Sequence, residues 1–366
     1  MDRRTLSIAL LASLFAAAPL RAQGAPSKTL DIYIADTEGG KATLFVTPSG
    51  ETVLEDTGNP GERDLSRILE VIGVAGVKKI DYLISTHYHQ DHVGGLTALA
   101  AKVPIAHFLD HGPNIEPNEQ VKGFQTAYEA LWSKAKHTVL KPGDRVPVRG
   151  LDWRIVISAA KPIRVPLAGG GQTNPACSGF QRKPDSASPD DNSQSVGSVI
   201  GFGRFRILDL GDLLWNNEFD LVCPRNMLGT VDLYLVTHHG LDRSGSPVLV
   251  HAVQPRVAVM QNGTRKGGDP ATFATLRSSP GLEDIWTLHW SYAGGIEHNA
   301  PGVFIANVDS LATIANVLNP AAGANAGPRS DPAHTPAHWI KISARQDGSF
   351  TVTNSRNGFS RTYAKR

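Results

Sequence analysis

The sequence predicts an α/β protein folded as a four-layer αββα sandwich, and three observations lead there. Two β-rich stretches, one beginning near Leu30 and one after Ser193, are each accompanied by segments with apolar residues at helical spacing. Polar clusters recur at the ends of the predicted strands, as expected when a site is built along one edge of packed sheets. The length exceeds the ~100 to 200 residues usual for one domain, yet α/β proteins often build a single unit of this size.

Taken in order, Arg3 and Arg4 precede an apolar run from Leu6 to Ala18, and "APLRAQG" supplies small residues for cleavage. Residues 1–22 therefore read as a signal peptide, with the mature chain starting near Gln23. The run is too short for a spanning helix, and nothing later offers the roughly 20 apolar residues a bilayer requires. The expectation is an exported protein, periplasmic or secreted, with no membrane span after cleavage.

Residues 28–310 read as one domain. "LDIYIADTEGGKATLFVTPSGETVLEDTG" alternates β-branched runs with Gly, Pro and Asp, which predicts hairpin strands. "ERDLSRILEVIGVAG" predicts a helix, "KIDYLIST" a strand and "HVGGLTALAAK" a short helix; "VPIAHFLDHG", "NEQVKGFQTAYEALWSKA" and "HTVLKPGDRVPVRGLDWRIVISA" repeat the strand, helix, strand order. Pro166 to Ser193 is rich in Gly, Pro, Ser and Asp and reads as a long loop, either a substrate-facing flap or a mobile segment. "VGSVIGFGRFRILDLGD" gives two strands around a Gly turn, "VDLYLVTHHG" another, and "SPVLVHAVQPRVAVMQNG" a helix and a strand. Residues 319–338 are poor in bulky apolar side chains and read as a low-complexity loop. Residues 339–366 read as a hairpin around Asp347-Gly348, part of the same domain.

With 36 basic and 34 acidic side chains, a net charge of +2 supplies no global field for nucleic acid or an anionic membrane. The substrate class, small molecule or polymer, stays open on charge. The two cysteines, Cys177 and Cys223, would meet an oxidising compartment after export; a disulfide and two buried thiols are equally compatible with the sequence.

The chemistry concentrates in "STHYHQDHVGG", Ser85 to Gly95, where His87, His89, Asp91 and His92 follow a predicted strand. On extended chain His87 and His89 share a face and can share one ion. Asp91 and His92 lie past the turn and can address a second. Imidazole and carboxylate without thiolate suit zinc first, with manganese or iron as alternatives. Two later strand ends add ligand types. "ILDLGD" ends at Asp212, preferred over Asp209, which lies inside the apolar run. "LYLVTHHG" ends at His238-His239, and since strand neighbours face opposite ways, one of the pair is the expected ligand.

With these residues in place, the chain resembles the metallo-β-lactamase superfamily, whose His-x-His-x-Asp-His signature appears as His87, His89, Asp91 and His92. It is most similar to the hydrolase domain of ComEC-type competence proteins and their stand-alone secreted relatives. That likeness rests on "STHYHQDHVGG", "DNSQSVGSVI", "LDLGD", "VTHHGLDRSGSP" and "VQPRVAVMQNG", in that order, and spans most of Leu30 to Gly263. The resemblance implies His87 and His89 on one metal, Asp91 and His92 on the other, and Asp212 between them. It favours His239, which precedes a Gly, over His238. Many members carry a further His before the bridging Asp; here Asn192 and Ser195 stand in that region, which implies a weakened first site and one or two bound ions. Lys266, in "NGTRKGGDP", falls where the subgroup has a substrate loop, so Asn192, Ser195 and Lys266 are the expected substrate-facing residues.

The implied activity is hydrolysis by a metal-bound hydroxide, with Asp91 orienting the water, and Asp209 or nearby carbonyls fixing the histidine tautomers. A phosphodiester or other phosphorylated substrate leads. A lactam, lactone or thioester hydrolase of the same fold, or a non-catalytic metal-stabilised binding module, are the alternatives.

Overall fold

The computed structural model describes residues 29–184, 186–311, 314 and 334–366. The expected signal peptide and most of the 319–338 stretch lie outside the described residues.

Strands β1 (Leu30–Ile34), β2 (Thr43–Val46) and β3 (Thr52–Glu55) form an antiparallel meander. Helix α1 (Glu62–Val74) buries Leu65, Ile68, Val71 and Ile72, a one-sided stripe at helical spacing, and delivers β4 (Tyr82–Ile84) parallel to β3. The short helices α2 (Gln90–Val93) and α3 (Leu96–Ala100) lead to β5 (His107–Asp110). Helix α4 (Glu119–Trp132) follows, started by Asn118, whose side chain accepts from the Gln120 N–H, and returns the chain as β6 (Lys136–Val139).

The second half begins with β7 (Arg145–Val146), β8 (Asp152–Ser158) and the short β9 (Lys161–Pro162) and β10 (Gln172–Thr173). A two-residue turn at Gly203-Arg204 joins β11 (Gly197–Phe202) to β12 (Phe205–Asp209). After helix α5 (Trp215–Val222), β13 (Arg225–Asn226) pairs antiparallel with β10 in a separate two-stranded sheet, and β14 (Leu233–Leu235), α6 (Pro247–Val253), β15 (Val257–Met260), α7 (Pro270–Arg277), β16 (Asp284–His289) and β17 (Ile305–Asn307) then build parallel sheet. The chain closes with β18 (Ile340–Ala344), β19 (Phe350–Asn354) and β20 (Ser360–Tyr363).

One sheet runs β20-β19-β18-β1-β2-β3-β4-β5-β6 and the other β17-β16-β15-β14-β12-β11-β8-β7. A core containing Phe45, Trp153, Phe202, Phe205, Trp286 and Phe350 fills the space between them, and two further apolar clusters lie under the helices on the outer faces. This is the predicted four-layer αββα sandwich.

The C-terminal segment pairs β18 with β1 from Leu30↔Ala344 to Ile34↔Ile340, so both ends of the described chain complete one sheet. It also carries a third strand, β20, beyond the expected hairpin. Three of its four residues are exposed, as suits an edge strand, which left no alternation to read. Within the long 166–193 loop, Cys177 forms a disulfide with Cys223 at the end of α5, their Cα atoms 5.8 Å apart. The bonded alternative therefore holds, and the loop is fastened rather than free.

Candidate metal centre

Parallel strands put their C-terminal ends on one edge, and four of those ends meet. The chain leaving β3 supplies Asp56, that leaving β4 supplies His87 to His92, that leaving β12 supplies Asp212, and that leaving β14 supplies His238 and His239. Gly211, in the left-handed region at φ 56, makes the last bend before Asp212; a Cβ there would lie 3.0 Å from Thr86 Cβ and 3.3 Å from Ser195 Cβ.

Asp91, His92, Asp212 and His239 gather their donor atoms into one cage. His92 Nε2 lies 3.3 Å from Asp91 Oδ2, 3.2 Å from Asp212 Oδ2 and 3.3 Å from His239 Nε2. His239 Nε2 lies 3.1 Å from Asp91 Oδ2 and 3.2 Å from Asp212 Oδ2. A regular tetrahedron with such edges has its centre about 2.0 Å from each corner, the usual zinc–nitrogen and zinc–oxygen bond length. Two carboxylates, Asp212 buried and Asp91 partly exposed, beside two buried imidazoles are a donor set that fits a divalent cation.

The ring orientations are fixed from behind. His92 Nδ1 lies 2.7 Å from Asp56 Oδ2, and His239 Nδ1 lies 3.0 Å from the Gln261 carbonyl oxygen. Those oxygens accept, so each Nδ1 carries the proton and each Nε2 offers a lone pair to the cage. Asp56 is itself held by the Thr86 N–H at 2.8 Å and the Thr86 hydroxyl at 2.7 Å. Burial alone would push the His92 pKa down, but the Asp212, Asp91 and Asp56 carboxylates raise it well above the ordinary value. Burial raises the pKa of Asp91 and Asp212, and the neighbouring histidines reverse this, holding both well below the carboxylate range.

The other expected residues fall at different distances. His87 is fully buried, its ring centroid 4.0 Å from that of His92, and its Nε2 has no hydrogen-bond partner. Burial, with the His92 and His89 rings, pushes its pKa well below the ordinary value, so the ring is neutral, the state that binds metals. His89 lies with its ring centroid 4.7 Å from that of His87, but its Nε2 is 2.8 Å from Glu116 Oε2. It joins a separate group with Glu116 and Asp190. β4 ends at Ile84, but the chain beyond it keeps extended backbone at His89, φ −68 and ψ 153, and the His87 and His89 rings lie side by side; it is the contact with Glu116 that separates His89 from the cage.

His238 and His239 also depart from the strand argument. Both lie past Leu235 in left-handed conformation, φ 57 and 56, so both imidazoles approach Asp212; His238 Nε2 is 3.5 Å from Asp212 Oδ2. Only His239 closes the cage. Burial pushes His238 down to about 4.

Ser195 Oγ accepts from the Asp212 N–H at 3.3 Å, and Asn192 Oδ1 is buried without a partner. Lys266 Nζ is ion-paired with Asp91 Oδ2, which places the lysine at the cage rather than on open surface. Gly267, at φ 78, allows this: a Cβ there would lie 2.0 Å from the His239 carbonyl oxygen. Asp209 does not support a histidine. It accepts from buried Lys41 at 2.6 Å, and the tautomer role falls to Asp56 and Gln261 instead. Asp56 was readable by the rule that selected Asp212, a carboxylate just past a strand end; Glu116 lies in a loop with no such signal.

Fold and site together are those of an α/β sandwich with a group of side chains fit to hold a metal ion at one edge. The chain belongs to the metallo-beta-lactamase superfamily, whose family model matches residues 36–260. It is 24% identical over 243 residues to the competence protein ComA of Neisseria gonorrhoeae, covering 66% of this chain and 28% of that protein. Over 96 residues it is 33% identical to a UPF0173 metal-dependent hydrolase of Cupriavidus metallidurans, covering 25% of this chain and 30% of the relative. Over 98 residues it is 30% identical to a hydroxyacylglutathione hydrolase of Aeromonas hydrophila, covering 27% and 31%. The chain thus spans less than a third of the length of these relatives. Among solved structures it is similar to Igni18, a metallo hydrolase of Ignicoccus hospitalis, at 14% identity and a TM-score of 0.42, covering 71% of this chain and 94% of that one.

Proposed function

We propose that the protein is an exported phosphodiesterase whose cage of Asp91, His92, Asp212 and His239 holds a divalent cation, zinc first. His87 and His238, flanking the cage, are the donors for a weaker second ion, with His89 joining only if its ring leaves Glu116. The observation that carries this reading is the cage itself, four donors, three of them on buried residues, with both Nε2 lone pairs turned inward.

A bound ion supplies Lewis acidity and lowers the pKa of water toward neutrality. The chain supplies the rest. Asp91, the partly exposed carboxylate of the cage, is the group placed to orient a water. Lys266, on a glycine-flanked loop and already paired with Asp91, can swing its ammonium to an anionic substrate oxygen. Asn192, with a free buried oxygen, and Ser195, braced on the Asp212 main chain, line the remaining side.

Export is supported by the Cys177–Cys223 disulfide. Among the described residues no helix is long and apolar enough to cross a membrane. A phosphodiester is favoured by Lys266 and by the likeness to a competence protein. A thioester is the second reading, favoured by the likeness to hydroxyacylglutathione hydrolase.

The test is a turnover panel on purified mature protein with zinc or manganese: bis(4-nitrophenyl) phosphate, nitrocefin and an acyl-glutathione thioester. Chelator-sensitive turnover of the diester alone, lost in Asp91→Ala, is expected. Turnover of nitrocefin or the thioester without the diester would reject the phosphodiesterase.

A further inference from the structure

Two open clefts flank the segment 160–168. One, of about 850 Å³, is walled by Lys183, Trp215 and Arg243 and reaches Asp190, whose carboxylate groups with His89 at the edge of the metal centre. The other, of about 890 Å³, is lined by residues of β8, β9 and β11 and the turn that follows β9. Ala160 lines both, so the clefts adjoin at that residue.

The second cleft is cationic in a chain whose net charge is only +2. Arg154, Lys161, Arg164 and Arg206 line it against one carboxylate, Asp152. That carboxylate is already neutralised by Arg154 at 2.7 Å. Arg206 is half-buried and donates to two main-chain carbonyls, Ala168 at 2.8 Å and Leu228 at 2.6 Å. Among the described residues no carboxylate lies within ion-pairing distance of it, and its Nε is buried without a partner. Burial pushes its pKa below the ordinary value, and the more distant Asp232 and Asp152 carboxylates offset this only in part. A charge held this way is costly unless an anion arrives to offset it. Lys161 and Arg164, at the rim, likewise have no ion-pair partner among the described residues.

We propose that this groove is an exosite for the backbone phosphates of a phosphodiester chain whose scissile bond lies at the cage. This rests on the phosphodiesterase reading and adds that the substrate is a polymer, since a single diester at the cage would not reach the groove. Along the connecting cleft, Trp215 is half-buried, stacks on Phe180 at 6.1 Å and carries Lys183 Nζ 4.2 Å from its ring centre. An aromatic face among cations suits a strand bearing planar bases. A poly(glycerol phosphate) shares the phosphate chemistry and forms the second arm of the test.

Fluorescence anisotropy of the full-length mature protein, as purified with its metal, would use a labelled phosphorothioate single-stranded 20-mer, which resists cleavage, and a labelled poly(glycerol phosphate) of similar charge. The variants are Lys161→Gln/Arg164→Gln, and Lys78→Gln/Lys102→Gln as a matched loss of two exposed charges on the other sheet's helical face. The first pair is expected to weaken 20-mer binding about tenfold and to flatten the slope of log affinity against log salt by about 1.4, two phosphate contacts on a single strand. The second pair leaves both readings unchanged, and neither alters bis(4-nitrophenyl) phosphate turnover. An equal fall for both polymers assigns the groove to phosphates alone, and a larger fall for the 20-mer brings in the Trp215 face. Equal binding by the two double variants, or no wild-type binding of either polymer, overturns the exosite. Groove-dependent binding without hydrolysis of any diester leaves the exosite standing and overturns the phosphodiesterase.

Discussion

Replacing Asp56 by Asn tests how the cage is made, because it alters no donor in it. Asp56 Oδ2 accepts from His92 Nδ1–H and the Thr86 hydroxyl, and Oδ1 accepts from the Thr86 N–H. An asparagine amide has one acceptor oxygen, so one of those faces must become a donor. If the NH₂ turns toward His92, Nδ1 must accept, the proton moves to Nε2, and the lone pair leaves the cage. If it turns the other way, it opposes the Thr86 N–H in a fully buried site. The residue sits at φ 61, a conformation Asn tolerates well, so the backbone survives the change. Loss of such an orienting partner costs about 10- to 100-fold in metal affinity, or roughly 1.4 to 2.7 kcal/mol. Chelator-competition titration of zinc would show that drop in Asp56→Asn. Zinc affinity within about twofold of wild type would refute the claim that Asp56 sets the His92 tautomer.

Three further outcomes follow. His239→Ala should lower zinc affinity at least about a hundredfold and His238→Ala less than about tenfold, measured by the same titration; equal losses would deny that His239 alone closes the cage. Burial raises the Asp36 pKa, but His289 and Arg67 outweigh it and hold the carboxyl at about 2, against an ordinary 3.8. A depressed carboxyl stabilises the fold above its unfolded pKa and loses that contribution as pH falls through the folded one, so Asp36→Asn should cost about 2 kcal/mol at neutral pH and progressively less between about pH 4 and 2. Urea unfolding across that range checks it, and a gap independent of pH would contradict it. Cys177→Ser/Cys223→Ser opens a link across 46 residues. The chain-entropy model puts the loss at about 4 kcal/mol, read as a lower urea midpoint; an unchanged midpoint would show that the 166–193 loop lies outside the cooperative unit.

The order of elements and the sandwich were legible because helical and strand periodicities alternate cleanly and each polar cluster falls at a strand end. Of the cage, Asp91, His92, Asp212 and His239 were identifiable from the motif and its resemblance. What escaped were effects of local backbone. The left-handed pair His238-His239 breaks strand alternation, and His89 meets Glu116, a partner 27 residues away that no spacing rule connects. Asp209 seemed a natural histidine support, but buried Lys41 needs a carboxylate more and takes it. The groove at Arg154, Lys161, Arg164 and Arg206 was invisible in net charge, because only the fold collects those cations on one face.

The most direct test is metal content per chain, by elemental analysis of protein purified without added metal and again after zinc, manganese or iron loading, for wild type and Asp212→Ala together. The account predicts one to two equivalents in wild type, with at least one lost in Asp212→Ala. Wild type holding no metal after loading, or Asp212→Ala retaining all of it, would contradict the cage.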